Sequence, residues 1–299
     1  MKVIIYHDDN DGRCAAAITL KALVEKGRAS GKMVESFVFA GATYDKVQAL
    51  AAGVGSGDEV YILDFSFPPE LMSAIMDNAK HVTWIDHHKS AIQKLDDTKF
   101  KALDGIRDTL AAACLLTWNF WHPKEDAPMA VKLIADRDGW TWAYKEQTAE
   151  FHYGLSLHET HPQAGIWDVL FSNPDVAAGK IKSDGRLVLQ ALGQRFKEIR
   201  EAVAFDTEID GHSARAMNIA IAGSAAFGAK GWETGALPDD VEICCQYYHN
   251  GSVFTVSMYS KKGTVDVSEL CKKRGGGGHA NAAGFTSEEL PNFLRKSSS

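Results

Sequence analysis

Three groups of acids and histidines carry the residue types for metal chemistry. His7-Asp8-Asp9-Asn10-Asp11-Gly12 follows the apolar run Val3 to Tyr6; Asp64 closes the run Val60 to Leu63; Asp86-His87-His88 closes Val82 to Ile85. Alternate residues of an extended segment share a side, so His7, Asp9 and Asp11 are aimed the same way. Carboxylate oxygen and imidazole nitrogen suit manganese, magnesium or zinc, and no thiolate lies in these groups to favour iron–sulfur or structural zinc. Each group alone also reads as an acidic turn with a helix cap. Together they mark the carboxyl ends of successive strands, where open parallel sheets bind ligands. Asp136-Arg137-Asp138, after Ala130 to Ala135, is read as a fourth such end. Four carboxylate-bearing strand ends in one crevice repel unless cations separate them. Two divalent ions about 3.5 to 4 Å apart, sharing a carboxylate, meet that need and drive in-line phosphoryl displacement.

The elements that must position these groups are legible as alternating short apolar runs and helical patterns. Val3 to Tyr6, Phe37 to Ala40, Val60 to Leu63 and Val82 to Ile85 read as strands. Helical patterns over Arg13 to Lys26, Tyr44 to Ala52 and Pro69 to Ala79 separate them. This is the signature of βαβ crossovers, hence an α/β fold with a mostly parallel sheet flanked by helices. A further helix is expected over Thr109 to Trp121, with Asp108 as its cap. From Gly185 to Ala204, apolar residues at mixed three and four spacing predict a long connecting helix. Beyond it, Ala214 to Ala222, Val241 to Tyr248 and Ser252 to Ser260 read as strands, the last two joined across Asn250-Gly251. The expected division is a catalytic domain over 1–183, a connecting helix over 184–205 and a smaller mixed α/β domain over 206–299.

Composition narrows the class. The chain has 299 residues, 45% hydrophobic and 24% charged, as expected for globular domains rather than disordered or coiled-coil chains. A formal charge of -7 argues against a broad duplex-binding surface. The five cysteines are scattered and include no CxxC pair, so neither a disulfide framework nor a zinc ribbon is indicated, and a reducing, cytoplasmic setting is expected. No apolar run approaches the roughly 18 residues of a bilayer span, so no membrane partner is expected.

HDDNDG at 7–12, ILDFS at 62–66, IDHH at 85–88, IADRDGW at 134–140 and GGGGHANAAGF at 275–285 occur in that order. In this the chain resembles the DHH phosphoesterase superfamily with a C-terminal DHH-associated domain, on the RecJ and nanoRNase-like side. The resemblance implies a metal-dependent phosphodiesterase with its active site in the cleft between two domains. It implies that His7, Asp9 and Asp11 supply the first metal cluster, that Asp64 bridges two ions, and that His87 and Asp136 hold the second, with Asp138 able to replace or assist Asp136. It gives His88 a place beside the nucleophile or scissile phosphate and Asp86 an orienting role. Two divalent ions are implied, manganese first, with magnesium or cobalt as alternatives, and a bridging hydroxide as nucleophile.

For the substrate, the run Gly275, Gly276, Gly277 and Gly278 requires close backbone approach or positive φ. Exposed N–H groups beside His279 would suit a phosphate. The resemblance gives that loop the same role. Lys261, Lys262, Lys272, Lys273 and Arg274 outnumber Asp266 and Glu269, making a local positive patch that reads either as a phosphate-binding surface or as a solvated face. Arg13 is placed either near the phosphate or as a surface residue of the first helical turn. The expected substrate is a short single-stranded oligonucleotide or nucleotide, hydrolysed by a nanoRNase-like or exonuclease-like enzyme. The alternatives are a phosphatase on short polyphosphate, cyclic or 3′-phosphorylated nucleotides, and a weakly active nucleotide sensor in which Arg13 is the disabling substitution. A homodimer is left open.

Overall fold

The structure is a computed structural model and describes residues 1–31, 36–219, 240–260 and 264–295. It contains two compact units, Met1–Leu189 and Gln190–Ser299. The first is built on β1 (Lys2–His7), β2 (Phe37–Ala42), β3 (Glu59–Leu63) and β4 (His81–Ile85), with α1 (Asn10–Ala29), α2 (Val47–Ala52) and α3 (Pro69–Asn78) as crossovers. All four strands are parallel, in the order β2-β1-β3-β4. Period-two alternation decides what each face buries. Ile4, Tyr6, Tyr61 and Leu63 join one core, whereas Val3, Ile5, Val60, Ile62 and Trp84 join another on the opposite face. The register pairs Tyr6 with Leu63 and Leu63 with Ile85. His7, Asp64 and Asp86 are therefore adjacent, each one step beyond that level.

The rest of the unit is helical: α4 (Lys89–Lys94), α5 (Thr98–Lys101), α6 (Ala113–Trp121), α7 (Met129–Asp138), α8 (Glu146–Leu155), α9 (Gly165–Ser172) and the first part of α10 (Pro174–Val203), up to Leu189. Three expectations are corrected here. The helix expected from Thr109 starts at Ala113 because Asp11, a hundred residues away, caps it in place of Asp108: Asp11 accepts from the N–H groups of Ala113 and Cys114, both at 2.8 Å. Ala130 to Ala135 is not a strand but the middle of α7, which begins directly after Pro128, a residue that favours helix starts. The connecting helix begins at Pro174 rather than near Gly185.

The second unit holds β5 (Phe205–Ile209), β6 (His212–Asn218), β7 (Ile243–His249), β8 (Phe254–Ser260), α11 (Val267–Lys272), β9 (Gly277–His279) and β10 (Ala282–Ser287). They form a six-stranded sheet, β5-β6-β7-β8-β10-β9, parallel only between β6 and β7. The joint at Asn250-Gly251 is a four-residue loop in which Asn250 Oδ1 accepts from the N–H groups of Ser252 and Val253. The end of the expected strand to Ala222, and Lys261 and Lys262, lie outside the described residues.

The first turn of α1 lies against β1 so closely that a Cβ on Gly12 would sit 2.1 Å from the His7 carbonyl oxygen. Backbone cannot yield as a flexible side chain does, so Gly12→Ala should lower the unfolding free energy by at least about 3 kcal/mol, or prevent folding. Urea denaturation followed by circular dichroism checks this.

Candidate metal centre

Three sets of ligand atoms converge beyond the carboxyl ends of β1, β3 and β4: His7, Asp9 and Asp64; Asp11, His87 and Asp138; and Asp64, His87 and His88. Asp64 links them. Its Oδ2 lies 3.6 Å from His7 Nδ1 and its Oδ1 lies 3.2 Å from His87 Nε2. His7 Nδ1 lies 2.8 Å from Asp9 Oδ2, and His87 Nε2 lies 3.3 Å from Asp138 Oδ2 and 3.8 Å from Asp11 Oδ2. Two of these atoms, His7 Nδ1 and Asp64 Oδ1, are buried yet make no aligned hydrogen bond. A buried polar atom left in that state costs free energy unless something occupies its lone pair. A divalent cation does so for an imidazole nitrogen and a carboxylate oxygen together, so the residues fit the ions that the sequence implies.

The local structure explains how each group is held. Asp64 has φ 55°, a left-handed conformation that is costly for a non-glycine residue. This turns the chain at the strand end while the Asp64 N–H still reaches Ile85 O at 2.9 Å. Asp9 is the N-cap of α1 and accepts from the Gly12 N–H at 3.0 Å. Asp86 is fully buried and orients the histidines. Its Oδ1 accepts from the N–H groups of His87 and His88 and pairs with His88 Nδ1 at 2.8 Å, and Ser66 Oγ donates to Oδ2. Such partners fix ring orientation in metal sites. Phe65 stacks on His7 with ring centroids 6.5 Å apart.

The charges are strongly coupled. Asp64 and Asp9 push the His7 pKa up to about 10. Burial alone would lower His87, but Asp64, Asp11 and Asp138 outweigh it and raise it to about 9. Burial, followed by the negative charge of neighbouring carboxylates, lifts Asp11 and Asp138 to about 7 each. Burial likewise raises Asp64. Without cations, protons on the histidines compensate the acids.

Several expected residues sit elsewhere. Asp136 is not among these ligand sets. Its carboxylate accepts from the hydroxyls of Thr141 and Thr148 and the N–H groups of Ala143 and Tyr144, tying down the loop after α7. Asp138 lies beside His87 instead, because successive helical residues turn by about 100° and only one of the two acids can face the site. Arg13 is tied to Asp8 Oδ1 at 2.9 Å and Thr160 Oγ1 at 2.8 Å. Arg274 is held by Asp210, by Leu270 O and over the Phe293 ring. The glycine run has structural duties of its own. Gly275, at φ 78°, and Gly276 end α11 by donating to Lys272 O and Cys271 O, the Schellman pattern. A Cβ on Gly276 or Gly278 would collide with β10, at 2.1 Å from Gly284 O and 2.6 Å from Ala283 Cα. Only Gly277 has open space for a side chain without a positive φ, and His279 is exposed on the edge strand.

A cavity of about 350 Å³ adjoins the ligands, lined by Asp9, Asn10, Asp11, Arg137, Asp138 and His152 among others. His152 belonged to no spaced motif. Burial, then the Arg137 charge, lowers its pKa to about 4, so it lines the cavity as a neutral imidazole. Arg137 itself lies 4.4 Å from the Trp140 ring centroid.

The raised pKa values have a thermodynamic consequence. The folded, metal-free protein binds more protons than the unfolded chain between about pH 4 and 7 at Asp11 and Asp138. It does so from pH 6.5 to about 10 at His7 and to about 9 at His87. Stability must therefore fall as pH rises through both windows. The melting temperature in EDTA should decline from pH 6 to pH 9, and saturating manganese should flatten that decline while releasing protons, as read by calorimetry in buffers of different ionisation enthalpy. A second test separates the two acids of α7. Asp138→Asn should weaken manganese binding with little change in metal-free melting, whereas Asp136→Ala should cost about 3 kcal/mol of stability by orphaning buried donors.

No family model matches the chain. An uncharacterized protein R106 of Acanthamoeba polyphaga mimivirus is 23% identical over 246 residues, 76% of this chain, and the chain spans 52% of that relative's length. Among solved structures, the DHH domain of a member of the s1p family of ribosomal proteins superposes with a TM-score of 0.59 at 10% identity, covering 95% of this chain and 82% of the other. PggH, a pGpG-specific phosphodiesterase from Vibrio cholerae, gives 0.54 at 14%, covering 96% and 93%. An exopolyphosphatase-related protein from Bacteroides fragilis gives 0.50 at 15%, covering 97% and 88%. The chain has the fold of the DHH-domain proteins, the family that its motifs resemble.

Proposed function

We propose that this protein is a metal-dependent phosphodiesterase acting on short single-stranded oligonucleotides. The observation that carries the reading is Asp64, whose two oxygens face His7 on one side and His87 on the other. That arrangement would hold two divalent cations, one with His7 and Asp9, the other with His87, with Asp138 in the place expected for Asp136, and with Asp11, which groups there and not with His7 and Asp9 as the resemblance implied. When bound, such cations lower the pKa of water and stabilise charge building on a phosphoryl oxygen.

The chain's own residues supply orientation and exclude alternatives. Asp86 takes His88 Nδ1, leaving Nε2 to face the substrate, and its negative charge raises the His88 pKa, so His88 donates a hydrogen bond to the phosphate. Hydrolysis joins a water oxygen to phosphorus and releases the ester oxygen as an alcohol that takes up a proton. A ligand set of carboxylates and imidazoles without thiolate is compatible with manganese, magnesium or cobalt, and manganese is our first choice. The fold shared with a pGpG-specific phosphodiesterase supports a short nucleotide ester, and a cavity of about 350 Å³ suits a nucleotide rather than a duplex. The fold shared with an exopolyphosphatase-related protein favours polyphosphate as the second reading. We place the protein in the cytoplasm; the five buried free cysteines agree with a reducing setting, and no described helix is long and apolar enough to cross a membrane.

A panel of dinucleotides, longer single strands, cyclic dinucleotides, 3′-phosphorylated nucleotides and tripolyphosphate, assayed with manganese, tests the reading. Dinucleotides should give the highest kcat/KM. Asp64→Asn, His87→Ala and Asp138→Asn should each lower it at least about a hundred-fold, since even partners of metal ligands cost ten- to a hundred-fold. Wild-type rates in those variants would sink the mechanism.

A further inference from the structure

The carboxyl end of β2 contributes none of the candidate ligands, yet it stands beside the end of β1. His7 pairs with Ala42, so Tyr44 lies two residues past the paired position on β2 as Asp9 does on β1. Tyr44 opens a single 3-10 turn, Tyr44–Lys46, and keeps 69% of its surface exposed. Its ring lies 5.3 Å from that of Phe65, which is 1% exposed, stacked on His7 and braced edge-on by Phe67 at 5.3 Å. Two rings thus lead from solvent to the His7 imidazole, with Phe67 bracing the inner one. Partial desolvation, followed by the negative charges of Asp86 and Asp64, raises the Tyr44 hydroxyl pKa, so the phenol is within electrostatic reach of the same carboxylates. Packing accounts for Phe65 and Phe67. It does not account for an aromatic ring left mostly open at the mouth of a site built for anions.

We propose that Tyr44 is the stacking platform for a base of the nucleotide whose phosphate enters the metal centre. The inference rests on the phosphodiesterase reading and adds where the nucleoside lies. Tyrosine has few side-chain torsions to freeze and presents a π-face that every base can use, so stacking there secures a nucleotide with little preference among bases. It also separates nucleotides from base-free phosphates, which gain nothing from the ring.

The test uses the full-length protein with manganese. Tyr44→Ala should raise KM for dinucleotides at least about five-fold with kcat nearly unchanged, and Tyr44→Phe should behave as wild type. Competitive inhibition by inorganic phosphate, which has no base, should be equal in all three proteins. A phosphorothioate-linked dinucleotide carrying 2-aminopurine should lose fluorescence on binding wild type and Tyr44→Phe but keep it with Tyr44→Ala. An unchanged KM, or quenching that persists in Tyr44→Ala, overturns the assignment. If wild type fails to cleave any dinucleotide, the phosphodiesterase reading falls. The quenching titration then still judges Tyr44, and absence of quenching in wild type overturns it too.

Discussion

A carboxylate at 1% exposure, as Asp64 is, keeps its charge only if cations or donors surround it, and this requirement governs the first unit. Asp64 meets it from both sides because β3 lies between β1 and β4, so His7 arrives from one neighbour and His87 from the other. A bridging acid has to come from a strand with both neighbours paired, and a ligand at the end of β4 or β2 would have had a partner on one side only. The positive φ at Asp64 then turns its side chain out of the strand's line. Strand order, register and one strained residue together make the linked clusters.

The remaining acids are placed by helices, which offset part of their repulsion. Asp11 accepts two N–H groups at the first turn of α6, where backbone partial charges favour an anion. Asp9 does the same for α1 through the Gly12 N–H. Helix α6 is therefore positioned by Asp11, a hundred residues away, and not by its own flanking sequence. The four carboxylates Asp9, Asp11, Asp64 and Asp138 still exceed what these donors neutralise. Protonated His7 and His87 take the place of the missing positive charge in the metal-free protein, which couples metal affinity to pH and to folding.

The parallel sheet was legible because period-two apolar runs and helical spacing alternate without ambiguity in the first ninety residues. The convergence of His7, Asp64, Asp86, His87 and His88 was legible for the same reason, since they lie at or just past strand ends and the register brings those ends level. The fourth motif was misread in its geometry. Ala130 to Ala135 is apolar enough for a strand, which would bring Asp136-Arg137-Asp138 to a strand end, and the resemblance put Asp136 first among them at the site. Pro128 before Met129 was the available sign of a helix, and a helix rotates Asp138 there instead. The capping of α6 by Asp11 had no local signal, because a cap supplied from a hundred residues away leaves no pattern near the helix. Tyr44 was read only as a helix-forming position. Its openness is a property of the fold.

The positive patch inferred from composition also changes meaning once side chains are placed. Lys273 and Arg274 are paired with Asp210, and Lys272 with Glu269, so the basic residues described there are already compensated within their own unit. Arg13 is similarly engaged by Asp8. Engaged cations offer an incoming phosphate little attraction, because binding it would break an existing pair for a similar one. With a formal charge of -7 on the chain, the proposed phosphodiesterase would draw its attraction for an anionic substrate from cations held by His7, Asp9, Asp11, Asp64, His87 and Asp138. Substrate affinity should then follow metal occupancy, with aromatic contact such as that at Tyr44 supplying the part that charge does not. On the proposed function this balance would suit a short chain bearing one or two phosphates, for which a few local contacts are enough, better than a polyanion that needs an extended cationic track.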